Sequence, residues 1–182
     1  MIKKFLYFFN KHQKKYLLLL FGLMFISTIL EMAKAIGAQG MVGGQMLDLL
    51  AADQEFDVPE ITRLQRMKTG SLINFSCQAG AILGKANQNQ RHRLNAFAHD
   101  LGLAFQIVDD LLDVEGTVAE LGKAVKKDVD AGKATFVSLL GAERAREQAN
   151  ILSDQAIKHL EIFEEKGNRL KHLAQFVVER RN

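Results

Sequence analysis

Hydrophobic residues recur through residues 94–112 in steps of three and one, the spacing of a single face of an α-helix. These residues are Leu94, Phe97, Ala98, Leu101, Ala104, Phe105, Val108, Leu111 and Leu112. A stripe of this width predicts one long buried helix. A second stripe beside it carries Gly102, Gln106, Asp109 and Asp113 at three- and four-residue steps. Asp109 and Asp113 therefore project from one face, one helical turn apart.

Other stretches of the chain also read as helices and turns. Asp57, followed by Pro59, marks the start of a helix. Residues 84–90 predict a turn in which Asn87 or Asn89 can cap the next helix. Gly70 lies in the middle of an otherwise helical stretch, where glycine costs about 1 kcal/mol against alanine, so we expect a kink or a close approach there. The long periodic segments and the single proline predict an all-α fold.

The stretch that begins at Met32 is rich in small residues. They occur at Ala33, Gly37, Gly40 and Gly44. Small side chains let a helix pack closely on its neighbour or bend beside a cavity. Gln45 and Asp48 share a face, and we expect them to hold polar partners inside the bundle.

Residues 1–31 differ in composition from the remainder. Lysines precede an uncharged apolar run, Tyr16–Leu30. As a helix this run spans about 22 Å, less than the roughly 30 Å of a bilayer core. Three interpretations stay open: a packing helix of the domain, a membrane anchor, and a foreign segment. We predict a basic and hydrophobic segment at 1–31 and a separate domain at 32–182.

Composition narrows the class of protein. The 182 residues suit one domain with a sizeable core, and 48% apolar with 25% charged residues is ordinary for a globular protein. The net charge is only +3 and the lysines are dispersed, which argues against nucleic-acid binding. Cys77 is the only cysteine, so an internal disulfide is excluded and a reducing cytoplasm is favoured.

The acidic end of the long helix carries the first candidate chemistry. Asp109, Asp110 and Asp113 repel one another and are costly to desolvate unless a cation sits among them. Carboxylate oxygens are hard ligands, and a small set of them suits a Mg²⁺ ion that also binds substrate phosphates. Basic residues follow at Lys123, Lys126, Lys127 and Lys133 and can neutralise phosphate oxygens, so acids and lysines together predict a diphosphate site. The alternative is a solvated acidic face near a helix end.

The predicted kink at Gly70 carries the second candidate. A kink frees a backbone carbonyl, and with the Thr69 hydroxyl this carbonyl could face a developing positive charge. Lys68 could meet a phosphate from the same place. A surface lysine that extends towards solvent is the alternative interpretation.

Five motifs occur in the order in which one family carries them. They are Gly43-Gly44-Gln45-Met46-Leu47-Asp48-Leu49, Lys68-Thr69-Gly70, Gly102-Leu103-Ala104-Phe105-Gln106 leading into Asp109-Asp110-Leu111-Leu112-Asp113, Leu121-Gly122-Lys123, and Gly132-Lys133-Ala134-Thr135. On these motifs, the chain from about residue 33 onward resembles the C-terminal part of the polyprenyl synthetase (trans-isoprenyl diphosphate synthase) family. The likeness is greatest to bacterial farnesyl diphosphate synthases. The resemblance implies an isoprenoid-synthase helical bundle around a central cavity, usually in a homodimer.

The resemblance also implies roles for individual residues. Mg²⁺ on an allylic diphosphate would be held by Asp109, Asp110 and Asp113. The diphosphate would be contacted by Lys68, Lys123 and Lys133. Catalytic roles at the allylic cation would fall to Lys68, Thr69 and Gln106. The second substrate would be isopentenyl diphosphate, whose alkene attacks that cation.

The chain also departs from the family pattern. A first aspartate-rich motif is expected upstream of Gly43, and none is present. We therefore expect a truncated bundle with impaired prenyl transfer. The alternative is a non-catalytic fragment or partner subunit that retains the bundle and a weak Mg²⁺-diphosphate site. We expect a cytoplasmic protein, with membrane contact through residues 16–30 as the other possibility.

Overall fold

A computed structural model describes residues 10–51, 54–115 and 135–181, and these residues form helices and no strands. In chain order the α-helices are α1 (Lys11–Ile36), α2 (Met41–Leu50), α3 (Val58–Gln65), α4 (Ser71–Leu83), α5 (Gln88–Glu115), α6 (Phe136–Leu140), α7 (Ala142–His159) and α8 (Asn168–Glu179). A π-helical turn, Arg66–Gly70, joins α3 to α4, and a 3₁₀ segment, Glu161–Gly167, joins α7 to α8. The predicted all-α fold is confirmed.

The chain divides into two compact units, residues 1–34 and 35–182. The first unit consists largely of α1, which continues past Glu31 to Ile36. Its large apolar side chains are exposed, Leu18 to 75%. By length and composition alone, the stretch that contains α1 qualifies as a membrane span. The predicted boundary at residue 32 stays a prediction.

The second unit is built on α5. The predicted apolar stripe is buried, except that Phe105 and Leu112 are half-buried. Ile107 lies outside that stripe and is also fully buried, because α5 packs against α4 and α7 on different sides. A helix covered on several sides buries more residues than one stripe predicts.

Side-chain caps set the helix starts that the sequence predicted. Asp57 Oδ1 accepts a hydrogen bond of 2.9 Å from Glu60 N, and Glu60 Oε2 accepts one of 2.9 Å from Asp57 N. Asn87 and Gln90 exchange the same pair of bonds at 2.9 and 3.0 Å before α5. Both are capping boxes, which satisfy backbone donors at a helix N-terminus. The predicted start at Asp57 is confirmed. Of the two candidate caps, Asn87 caps α5, whereas Asn89 lies inside that helix.

The predicted irregularity at Gly70 is the π-turn Arg66–Gly70. In a π-turn, some backbone carbonyls lose the N–H donor that they would have in an α-helix. A side-chain donor can take the place of that N–H group. Ser71 supplies the replacement: its hydroxyl donates to Met67 O at 2.5 Å and to Arg66 O at 3.2 Å. The turn is therefore stabilised locally by the residue that follows it.

Candidate functional site

Two glycines bring neighbouring helices against the π-turn. A Cβ built on Gly44 of α2 would lie 2.5 Å from Lys68 Cα, so the two backbones are in direct contact. A Cβ built on Gly102 of α5 would lie 3.3 Å from Gly70 Cα. Close packing through small residues was predicted for Gly44, and the structure identifies the π-turn as its neighbour.

The contact at Gly102 aligns the π-turn with the second stripe of α5. Gln106 lies one helical turn beyond Gly102, and Asp109 lies about 10 Å along the same helix at 1.5 Å per residue. Lys68-Thr69-Gly70 therefore packs on the helix that carries Gln106 and the aspartates. The structure brings together two motifs that are more than thirty residues apart in sequence.

Lys68 has a partner that the sequence analysis did not assign to it. Its ammonium Nζ lies 2.7 Å from Asp48 Oδ2, and the Asp48 side chain is only 10% exposed. The expectation that Asp48 holds a polar partner in the bundle is thus confirmed, whereas Gln45 is exposed and does not. The pair joins α2 to the π-turn and holds the ammonium beside the Gly44 contact.

The aspartates of α5 have different surroundings. The Asp109 side chain is 52% exposed, whereas Asp110 and Asp113 are half-buried. Asp110 Oδ2 accepts a hydrogen bond of 3.2 Å from Phe136 N. The preceding Thr135 caps α6, since its hydroxyl accepts a hydrogen bond of 3.1 Å from Ser138 N. The end of the Gly132–Thr135 motif is therefore attached to the acidic helix.

Arg180 is the site residue that the sequence analysis missed. Its Nη2 donates to Asp109 Oδ1 and to Phe105 O, both at 3.3 Å, and its Cζ lies 4.2 Å from the centroid of the Phe105 ring. The Arg180 side chain is only 12% exposed. The available signal was a basic pair, Arg180-Arg181, just after the last apolar turn of α8.

An apolar cavity of about 760 Å³ adjoins this arginine. It lies between α4, α5 and α8, and its lining includes Phe97, Leu101, Phe105, Phe176 and Arg180. Cys77 also lines it, and burial raises the pKa of this thiol above its ordinary value. The cavity can take a hydrocarbon group, and the Arg180 guanidinium is part of its lining.

The carboxylate oxygens of α5 are donors of the type that divalent cations prefer. Asp109 and Asp113 present hard oxygen donors on one face of α5, one turn apart, and Asp109 is accessible. One oxygen of Asp110 is engaged by the backbone of Phe136. Within the described ranges, no three acidic, histidine or cysteine side chains are close enough together to hold a metal ion. These donors fit Mg²⁺ chemically and form at most part of its coordination shell.

Some predicted site residues fall outside the described part of the chain. Lys123 and Lys133 lie in 116–134, so their predicted diphosphate contacts stay predictions. The other predicted site residues lie in the described part of the chain, and their roles stay predictions as well. They are Lys68, Thr69, Gln106, Asp109, Asp110 and Asp113.

Known proteins resemble most of this chain. A family model described as polyprenyl synthetase matches residues 18–174. A dimethylallyltranstransferase of Fischerella ambigua is 41% identical over 156 residues, which are 85% of this chain and 45% of that protein. The chain thus spans about half the length of the curated relatives that it matches.

Solved structures agree with the fold. An FPP/GFPP synthase from Zymomonas mobilis superposes with a TM-score of 0.73 at 48% identity, covering 84% of this chain and 50% of that one. A geranyltransferase from Helicobacter pylori, complexed with magnesium and isoprenyl diphosphate, gives 0.70 at 28% identity, with 84% and 50% coverage. These proteins have the all-α isoprenyl synthase fold.

Proposed function

Because the chain belongs to the polyprenyl synthetase family, we propose that it acts in Mg²⁺-dependent prenyl transfer from an allylic diphosphate to isopentenyl diphosphate. The observation that carries the proposal is the packing of the π-turn against Gly102 of α5. The proposal is supported because the turn that carries Lys68 and Thr69 packs, through Gly70, against the helix that bears Gln106, Asp109 and Asp113.

The surroundings suit a substrate with an apolar tail and an anionic head. The cavity lined by Phe97, Leu101 and Phe176 offers an apolar surface to a hydrocarbon chain, although Lys68, Thr69 and Gln106 are not part of its lining. The Thr69 hydroxyl and the Gln106 amide are neutral dipoles that can face an allylic cation without introducing a competing charge. Lys68, held by Asp48, would donate to a diphosphate oxygen.

A bound Mg²⁺ ion would neutralise negative charge on the departing diphosphate. We assign its ligands to Asp109 and Asp113, and we assign Asp110 to the same group, either directly or through an intervening water. Lys123 and Lys133 would add diphosphate contacts. The bound magnesium named for the Helicobacter pylori neighbour supports the use of a divalent metal in this family.

We further propose that this span of sequence catalyses condensation poorly by itself. It covers about half of its relatives' length and carries one aspartate-rich motif. A single carboxylate group leaves a metal-diphosphate complex with fewer ligands and weaker orientation. The competing function is a non-catalytic partner subunit that keeps the bundle and binds diphosphate weakly.

Pyrophosphate release tests the proposal. The purified chain is incubated with geranyl diphosphate, isopentenyl diphosphate and Mg²⁺, and compared with the Asp109→Ala and Asp154→Asn variants. Asp154 is exposed on α7, so its substitution removes a carboxylate away from the site. We expect slow release that Asp109→Ala abolishes and Asp154→Asn leaves intact. Absence of release at high protein concentration would favour the partner-subunit function.

The oligomeric state of the protein and its location in the cell are also proposals. We propose a homodimer in the cytoplasm, in keeping with the family resemblance and the lone cysteine. The exposed apolar surface of α1 favours a second location, a membrane contacted through residues 16–30. Sedimentation of the purified chain with and without lipid vesicles distinguishes the two.

A further inference from the structure

We propose that Arg180 is the resident counter-ion of Asp109 and that a divalent cation binds the acidic helix in competition with it. The inference deepens the proposed function, since it rests on Asp109 being a metal ligand. It concerns a residue outside the five family motifs, at the end of the last helix of the chain.

The placement of Arg180 makes it part of the acidic site. Arg180 follows α8, yet its guanidinium crosses to α5 and bridges the Phe105 carbonyl and the Asp109 carboxylate, which are one helical turn apart. Stacking on the Phe105 ring at 4.2 Å fixes the plane of the guanidinium. A positive charge that is 12% exposed is thereby held against a predicted metal ligand.

The ion pair between Arg180 and Asp109 is weak enough for a divalent cation to replace Arg180. Both Nη2 contacts are 3.3 Å long, whereas strong charge-assisted hydrogen bonds are about 2.7–2.9 Å. Among the described residues, Arg180 Nε is buried and has no hydrogen-bond partner, so the guanidinium is not saturated. The half-exposed Asp109 carboxylate can turn towards a cation from solvent. Arg180 is therefore a replaceable partner of Asp109 rather than a permanent one.

The sign of the effect follows from charge. A buried cation beside a carboxylate lowers the negative potential that attracts a second cation, so Arg180 weakens divalent binding at Asp109. Coupling between two binding events is reciprocal, so a bound divalent cation must equally weaken the Arg180 contact. Couplings of this kind span about 5- to 150-fold, and the exposure of Asp109 places this one near the lower end.

Mn²⁺ is the probe, because carboxylates bind it as they bind Mg²⁺ and its EPR signal counts free ions directly. Affinity is measured for the wild-type chain and for Arg180→Gln, Arg180→Lys, Arg181→Gln and Asp109→Asn. Arg181→Gln is the matched control, since it removes the same charge from the next residue, which is exposed. No enzymatic turnover enters the measurement.

We expect Arg180→Gln to bind Mn²⁺ about five-fold more tightly, while Arg181→Gln and Arg180→Lys stay within two-fold of wild type. Equal or weaker binding by Arg180→Gln, or an equal gain in Arg181→Gln, overturns the inference. If Asp109→Asn binds Mn²⁺ as tightly as the wild-type chain does, Asp109 is not a metal ligand and the metal assignment of the proposed function is refuted.

A second measurement needs no variant that must stay folded. In ¹⁵N-labelled wild-type protein, the arginine Nε–Hε resonances are followed during titration with Mg²⁺. We expect one buried arginine resonance, Arg180, to shift with the same midpoint as Mg²⁺ binding. Arginine resonances that do not move through saturation overturn the inference.

Discussion

The close approach of Gly44 to the π-turn predicts the effect of one added methyl group. Replacing Gly44 by alanine places a Cβ 2.5 Å from Lys68 Cα and 2.8 Å from the Met67 carbonyl carbon. Attractive carbon contacts begin near 3.5 Å, so α2 and the π-turn would have to separate by about 1 Å. Both atoms belong to the backbone, so no side-chain rotation relieves the overlap.

The cost can be bounded from known effects. Overpacking costs about 1–3 kcal/mol, and a backbone clash belongs at the upper end of that range. Alanine recovers about 1 kcal/mol over glycine in a helix, which leaves a net loss of about 2 kcal/mol in the free energy of unfolding. For a domain of this size, that loss corresponds to a Tm lower by about 4–8 °C.

Gly80→Ala is the matched control. Gly80 also lies within a helix, α4, and a Cβ built there meets nothing within 4 Å. We expect this variant to gain about 0.5–1 kcal/mol from helix propensity alone. Both variants are compared by thermal and urea unfolding followed by circular dichroism at 222 nm. If Gly44→Ala is as stable as Gly80→Ala, α2 does not contact the π-turn as described.

Three further predictions concern the Asp48–Lys68 pair, the exposed helix α1 and the Cys77 thiol. Asp48→Asn leaves the partly exposed Lys68 ammonium without its carboxylate, which should cost about 1–2 kcal/mol in urea unfolding; an unchanged unfolding midpoint would show that the pair contributes nothing. The chain has no tryptophan, so in Phe21→Trp a blue-shifted emission on adding 7:3 phosphatidylcholine–phosphatidylglycerol vesicles reports burial of α1 in lipid, and unchanged emission argues against membrane contact. Because burial raises the Cys77 pKa, iodoacetamide should alkylate the folded chain more slowly than the urea-unfolded chain at pH 8, and equal rates would contradict a half-buried thiol.

Local patterns predicted the elements well because their causes are local. The apolar stripe from Leu94 to Leu112 predicted the buried face of α5, and the capping residues Asp57 and Asn87 predicted two helix starts. Gly70 predicted an irregular turn from its helix propensity alone. The caps have partners within four residues, and the stripe is a spacing of three and four residues, so a sequence displays these signals directly even though other helices cover the stripe.

Partners across the fold were beyond such patterns. Lys68 was expected to meet phosphate, and the structure pairs it with Asp48, twenty residues earlier. Arg180 lies 71 residues from Asp109, and no periodicity links the two. Gln45 and Asp48 looked equivalent on one helical face. Only Asp48 is buried, because α2 turns the side that carries Gly44 and Asp48 towards the π-turn.

Residue type and short-range spacing were thus enough to predict the helices, the buried face of α5 and the acidic and lysine motifs. Which of these motifs lie together depends on how the helices pack. The close approach at Gly44 and Gly102 places the π-turn on the acidic helix, and the return of α8 brings Arg180 to Asp109. Such contacts arise from helices packing at distances that depend on every intervening side chain, which is why spacing along the chain does not disclose them.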